Sequence, residues 1–220
     1  MTQLPPLTEL VDPRRTALVV VDVQNDFCDP ARTPEAGAML PRLRQVIEEA
    51  RRADVLIIYT KASHSDKTNS PVWLTRFASR PAQATTCQEG TPGEAMHPDF
   101  QPQPGELVVI KHRYSAFIGT NFEIMLRAHH VETLVFAGIA TNVCVESTAR
   151  DAFQRDYWTV VLSDCTATGS EAEHQASLAV IGKHFGLVAE SREIVDAWRR
   201  AAAAQPLLAA QPAVAADRRR

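Results

Sequence analysis

Short runs of apolar, largely β-branched residues recur along the chain, with segments of helical periodicity between them. "TALVVVDV", "VLIIYT", "GELVVIK", "VETLVFAG", "WTVVLSD" and "GLVAES" read as six strands, the last one short. "LPRLRQVIEEARRA", "TNFEIMLRAHH", "VCVESTARDAFQRD" and "SEAEHQASLAVIGKHF" read as helices. Thr120 or Asn121 is a cap candidate for the second of these, and Ser170 for the last. Strands that are apolar throughout are buried on both faces, as in a parallel sheet covered by helices on each side. The alternation of strand and helix predicts a three-layer α/β/α sandwich.

Two segments break the rhythm. From Lys61 to Gln103 the chain is rich in Pro, Ser, Thr and Gly and holds the isolated aromatics Trp73 and Phe77. A long insertion of this kind is expected to be a lid or binding loop, the alternative being a solvated excursion. The C-terminal "AAAAQPLLAAQPAVAADRRR" is of low complexity, so residues 1–200 are expected to form a single domain and 201–220 a disordered tail.

Composition narrows the function. A net charge of -3 gives no reason to expect a nucleic-acid or anionic-membrane partner. No apolar run is long enough for a transmembrane helix, and "MTQLPPLTELVDPRR" lacks the features of a signal peptide. Cys28, Cys87, Cys144 and Cys165 are scattered, with no C-x-x-C pair. The expected setting is the cytoplasm, with reduced thiols.

The chemistry is expected at the carboxyl ends of the strands, where parallel α/β sheets bind their ligands. "VVVDVQNDF" puts Asp22 at the first strand end, and "VVIKHRYSAF" puts Lys111 directly after Ile110. "GIATNVCVESTARDA" puts Cys144 where a flexible turn meets a helix. Taken alone, Asp22 reads as a structural carboxylate, Lys111 as a snorkelling strand-end cation and Cys144 as a small buried hydrophobe. The cysteine could equally be a metal ligand, a redox thiol or a nucleophile. An acid, a base and a thiol arriving together at one sheet edge favour catalysis.

Those three segments resemble the isochorismatase-like cysteine hydrolases, in the order Asp, Lys, Cys, over about Thr16 to Trp198. The resemblance implies a six-stranded, mostly parallel, Rossmann-like sheet, a triad of Asp22, Lys111 and Cys144, and dimers or tetramers. It also implies an oxyanion hole from the N–H groups of Ala140 and Cys144, with a cis peptide at Ile139–Ala140. The expected activity is hydrolysis of a small amide, ureido or carbamoyl substrate through a thioester, with no cofactor. "KHRYSAF" and "GIATNVCVEST" are most similar to the ureidoacrylate amidohydrolase and N-carbamoylsarcosine amidase branch. Nicotinamidases of the family carry a metal site after the second strand. Here "YTKASHSDKTNS" has His64 and Asp66 in reversed spacing and no second histidine, so His64 is expected to be a surface or lid residue and no metal is expected. His97 and Glu94 are expected to be structural.

Gln24 is a candidate to hydrogen-bond a substrate amide, and Arg113 and Tyr114 to bind polar ends, with an ion pair as the alternative role of Arg113. Phe27, Trp73, Phe77 and Phe117 are candidates to wall the pocket. A nicotinamidase, an isochorismatase that cleaves a vinyl ether, or a non-catalytic binding protein on the same fold are the competing readings.

Overall fold

A computed structural model describes residues 5–209. Six strands form one sheet in the order β3-β2-β1-β4-β5-β6. They are β1 (Thr16–Val21), β2 (Leu56–Ala62), β3 (Leu107–Lys111), β4 (Thr133–Ile139), β5 (Trp158–Ala167) and β6 (Leu187–Ala189). Every adjacent pair is parallel. The helices are α1 (Leu7–Leu10), α2 (Asn25–Cys28), α3 (Ala36–Arg52), α4 (Pro71–Leu74), α5 (Phe122–Ala128), α6 (Glu146–Phe153), α7 (Glu171–His184) and α8 (Ser191–Ala209).

The two faces of the sheet have separate cores, and strand alternation sorts residues between them. Leu18 and Val20 of β1 pack with Met39, Leu43 and Ile47 of α3 and with Ile194 and Trp198 of α8. Ala17, Val19 and Val21 pack with Phe122 and Leu126 of α5, Ala149 and Ala152 of α6, and Leu178 and Ile181 of α7. The indole N–H of Trp198 donates to the Val11 carbonyl, so even this fully buried ring leaves no orphan donor.

Several expectations need adjusting. β3 is an edge strand, and Val108 and Ile110 face outward with more than a third of their surface exposed, so it is not buried on both faces. α3 begins four residues before Leu40 and carries Pro41 inside it, at the loss of one helical N–H. Helix α8 runs through the first half of the segment expected to be a disordered tail, as far as Ala209, and the rest of that segment lies outside the described residues. Ser170 caps α7 as expected, its Oγ accepting from the Glu173 N–H; at α5 the cap position is Asn121, whose side chain makes no capping bond, and the preceding Thr120 Oγ1 accepts from the Phe122 N–H instead.

The strand order reverses direction between β1 and β4. Such a switch point opens a crevice at the carboxyl ends of the two strands, because the connections leave on opposite faces. Asp22 follows β1 and Cys144 follows β4, so both stand at that crevice.

Candidate active site

Asp22 is fully buried and takes a φ of +50°. This left-handed residue ends β1 and turns its carboxylate toward the crevice. Thr60, on the neighbouring strand β2, donates from Oγ1 to Asp22 Oδ1 at 2.6 Å. Lys111 Nζ reaches Asp22 Oδ2 at 2.6 Å, donates to Cys144 Sγ at 3.4 Å and to the Arg113 carbonyl at 3.1 Å. Lys111 and Asp22 are no more than 1% exposed, and removing either would leave an uncompensated buried charge at a cost of about 3–5 kcal/mol. Beyond its ion pair, Asp22 Oδ2 makes no hydrogen bond of good geometry among the described residues, which leaves it free to receive a proton.

Cys144 lies in a π-helical turn, Thr141–Val145, that leads into α6. The Ala140 carbonyl accepts from the N–H groups of Val143 and Val145 on either side of it. Thr148 Oγ1 donates to the Cys144 carbonyl, and Ser177 Oγ of α7 to the Thr141 carbonyl. His174 Nδ1 lies 2.9 Å from Thr141 Oγ1. The turn that carries Cys144 is thus held from both the α6 and α7 sides. The Ile139–Ala140 peptide is cis, at the position the family resemblance implied. Gly138, just before it, has a φ of +116°, and a Cβ there would sit 2.1 Å from the Val21 carbonyl oxygen, so β4 approaches β1 in a way only glycine permits.

Burial pushes the Cys144 thiol up to about 12, against the pull of the Lys111 charge and with Asp22 acting in the same direction as burial. The resting sulfur is therefore a thiol. At this sulfur desolvation outweighs the Lys111 cation. For Lys111 itself, burial disfavours the charge, but Asp22 and Cys144 beside it outweigh burial and raise it above the ordinary lysine value.

Above the triad lies a cavity of about 370 Å³, a size suited to a small ligand. The insertion supplies much of its wall. Trp73, Arg76, Phe77 and Arg80 line it from α4 and the turn that follows, and Phe27, Arg113, Tyr114, Ala140 and Cys144 line it from the sheet edge. Trp73 packs on Tyr114 with ring centroids 4.7 Å apart. Burial raises the Tyr114 phenol, while the charges of Arg76 and, more weakly, Arg80 pull it down.

Phe27, Trp73, Phe77, Arg113 and Tyr114 are thus at the cavity, as the sequence suggested. Gln24 and Phe117 are not. Gln24 is fully buried, and its amide accepts from the Ala62 N–H and donates to the Ala62 and Glu94 carbonyls. The positive φ of Asp22 turns the following chain away from the crevice and into the base of the insertion. Phe117 packs edge-on against Phe122 in the core below α5. Arg113 makes no ion pair among the described residues; its Nη1 donates to the Thr68 and His112 carbonyls, tying the segment after β3 to the insertion. Glu94 pairs with Lys61 and accepts from the Gly90 N–H, and His97 Nδ1 accepts from the Asp99 N–H.

His64 is no surface residue. It is 8% exposed, lines the cavity and lies 5.7 Å from the Trp73 ring. Burial, aided by the charges of Arg76 and Lys111, holds its imidazole down to about 4, so it is neutral. Asp66 points to solvent. Among the described residues no three His, Cys, Asp or Glu side chains gather as a metal-binding group.

Thr60, Arg76 and Arg80 escaped the sequence reading. The polar ending of "VLIIYT" was the available signal for Thr60. The three-residue spacing of Trp73 and Arg76 was the signal for the arginine, since that spacing stacks side chains on one helical turn.

Comparison with known proteins agrees with this fold. Residues 16–193 match the isochorismatase domain model. A ureidoacrylate amidohydrolase of Agrobacterium fabrum is 36% identical over 211 residues, 86% of this chain and 92% of its own. A cysteine hydrolase of Pseudomonas syringae superposes with a TM-score of 0.79 at 28% identity, covering 87% of this chain and 95% of that one. The N-carbamoylsarcosine amidase of Thermoplasma acidophilum superposes with a TM-score of 0.69 at 32% identity, covering 80% and 96%. With the domain model spanning most of the chain and relatives above 30% identity over most of its length, the protein belongs to the isochorismatase family.

Proposed function

We propose that this protein is a cysteine amidohydrolase that cleaves a C–N bond of a small ureido or carbamoyl compound through a thioester. The observation that carries the reading is the Lys111 ammonium, which touches both the Asp22 carboxylate and the Cys144 sulfur at the floor of the cavity. The similarity to a ureidoacrylate amidohydrolase and to an N-carbamoylsarcosine amidase supports the ureido or carbamoyl class.

In this mechanism the thiol proton moves to Asp22 as Sγ attacks the carbonyl carbon, because a thiol at about 12 needs a base close by. The C=O electron pair moves onto oxygen, and the N–H groups of Ala140 and Cys144 receive the resulting oxyanion. One such donor is worth about 2.7–4 kcal/mol. Collapse of the intermediate breaks the C–N bond, and the leaving nitrogen takes the proton from Asp22. Water then gives a proton to Asp22 as its oxygen attacks the thioester. The acid product departs, and the proton returns to sulfur. Lys111 holds Asp22 and Cys144 at fixed separation and offsets negative charge as it develops on either.

An ammonia-release screen over N-carbamoyl amino acids, ureidoacrylate, biuret, nicotinamide and simple amides tests this. Ureido or carbamoyl compounds should be turned over, and Cys144→Ala should abolish the rate with an unchanged unfolding curve. Wild-type rate in Cys144→Ala would end the thioester mechanism. Turnover of nicotinamide alone would end the substrate class.

A further inference from the structure

The cavity wall holds more positive charge than the triad uses. Arg32 has Asp26 at 3.9 Å, and Lys111 has Asp22. Arg76, Arg80 and Arg113 line the same cavity with no carboxylate within ion-pair distance among the described residues. Glu173, across the mouth, accepts from Asn142 at 3.3 Å. Collecting three unneutralised guanidinium groups around one cavity is unfavourable unless something compensates their repulsion. Part of the compensation is aromatic. The Arg76 guanidinium stands 3.9 Å from the Trp73 ring centroid and 4.0 Å from that of Phe77, a cation held between two π faces. One of its nitrogens donates to the Trp73 carbonyl at 2.8 Å, which fixes the plane of the group. Arg113 stands 4.8 Å from the centroid of the same indole, but its Nη1 is committed to two backbone carbonyls. Arg80, by contrast, makes no side-chain hydrogen bond or ion pair among the described residues. Trp73 Nε1 is also buried without an acceptor among them.

We infer that Arg76 and Arg80, from the insertion, form the anion-binding end of the substrate cavity, selecting ureido or carbamoyl substrates that end in a carboxylate. A planar guanidinium already fixed by stacking matches a carboxylate with paired N–H donors and loses little freedom on binding. Arg113 is a tie between the post-β3 segment and the insertion, and the specificity lies with the two arginines beyond it. The word substrate here rests on the amidohydrolase reading, so the test includes a measurement that does not.

Iodoacetate and iodoacetamide are near-isosteric reagents for the Cys144 thiol that differ in charge. The ratio of their alkylation rates at Cys144, read by peptide mass spectrometry, reports the attraction of the cavity for an anion and cancels any change in thiol acidity. Arg76→Met with Arg80→Met should lower that ratio at least tenfold, and so should raised salt in the wild type. Arg76→Lys should keep most of it, and the distant exposed Lys183→Met should leave it unchanged. In steady state, the double variant should lose at least tenfold in kcat/KM for N-carbamoylglycine while changing less than twofold for propylurea, an uncharged compound of similar size. An unchanged reagent ratio in the double variant, or an equal fall in Lys183→Met, overturns the inference. Absence of turnover of every ureido compound by the wild type, with the reagent ratio behaving as expected, would instead overturn the amidohydrolase reading and leave the anion site standing.

Discussion

In the proposed mechanism Asp22 would be a poor general base if its carboxylate could swing, and Thr60 is the residue that prevents this. The hydroxyl holds Oδ1 at 2.6 Å, which leaves Oδ2 alone facing Lys111. A hydrogen bond to a charged group is worth about 1.5–3 kcal/mol, so Thr60→Val should lower kcat about tenfold to a hundredfold. Thr60→Ser, which keeps the hydroxyl, should recover most of the rate. Measured kcat in the two variants, with unfolding curves as control, decides it; equal loss in both would mean that packing, not the hydroxyl, matters. Asp22, Lys111 and Cys144 were legible as candidates because an acid, a base and a thiol fall together near three strand ends, and the family resemblance then implied them as a triad. Thr60 was not, since its role depends on the parallel pairing of Val21 with Thr60, which no local pattern encodes. Gln24 misled for a related reason. It sits two residues after Asp22, where strand alternation would aim it at the crevice, but the positive φ of Asp22 ends the strand first.

At the level of elements, the contact between β1 and β4 sets the distance between acid and thiol. Val21 pairs with Gly138 at the last step of that ladder. An alanine at Gly138 would meet the Val21 backbone and also occupy a φ of +116°. Gly138→Ala should therefore destabilise the fold by more than about 3 kcal/mol, seen as a large fall in denaturation midpoint, and whatever folded protein remains should be inactive. A midpoint within error of wild type would show that the two strands can separate without harm. The order and type of the elements were readable from apolar periodicity, because each strand must fill two cores and each helix one. Their ends were less so. The π-helical turn around Cys144 inserts an extra residue that single-chain periodicity cannot register, and an apolar β3 gives no sign that one of its faces is open.

Across the whole molecule, buried titratable groups define a pH window. Burial pushes Cys28, Cys144 and Tyr59 up to about 12, and raises Cys87 and Cys165 further still. An unfolded chain begins to release its thiol protons near pH 9, whereas the folded chain keeps them, so the native state binds more protons and stability falls as pH rises above that point. His64 works in the other direction. Its imidazole is held down to about 4, so between the ordinary histidine value and pH 4 the unfolded chain takes up a proton that the native state refuses, and stability falls as pH falls. Scanning calorimetry should show a plateau between roughly pH 6.5 and 9 with a decline on both sides. Cys165→Ala should flatten the alkaline limb, and a Tm unchanged up to pH 11 would contradict the burial of these thiols. No helix among the described residues is long and apolar enough to cross a membrane. One feature of the architecture reaches further than the site itself. Gln24 holds the insertion at two points, at Ala62 where it leaves β2 and at Glu94 farther along it. Both points are thus tied to the residue next but one to Asp22. The insertion is fixed at its base by Gln24, Asn25 and Asp26 and carries the Trp73, Arg76 and Phe77 wall of the cavity, so in the proposed reading the chemistry belongs to the sheet and the choice of substrate to an exchangeable cassette anchored beside it.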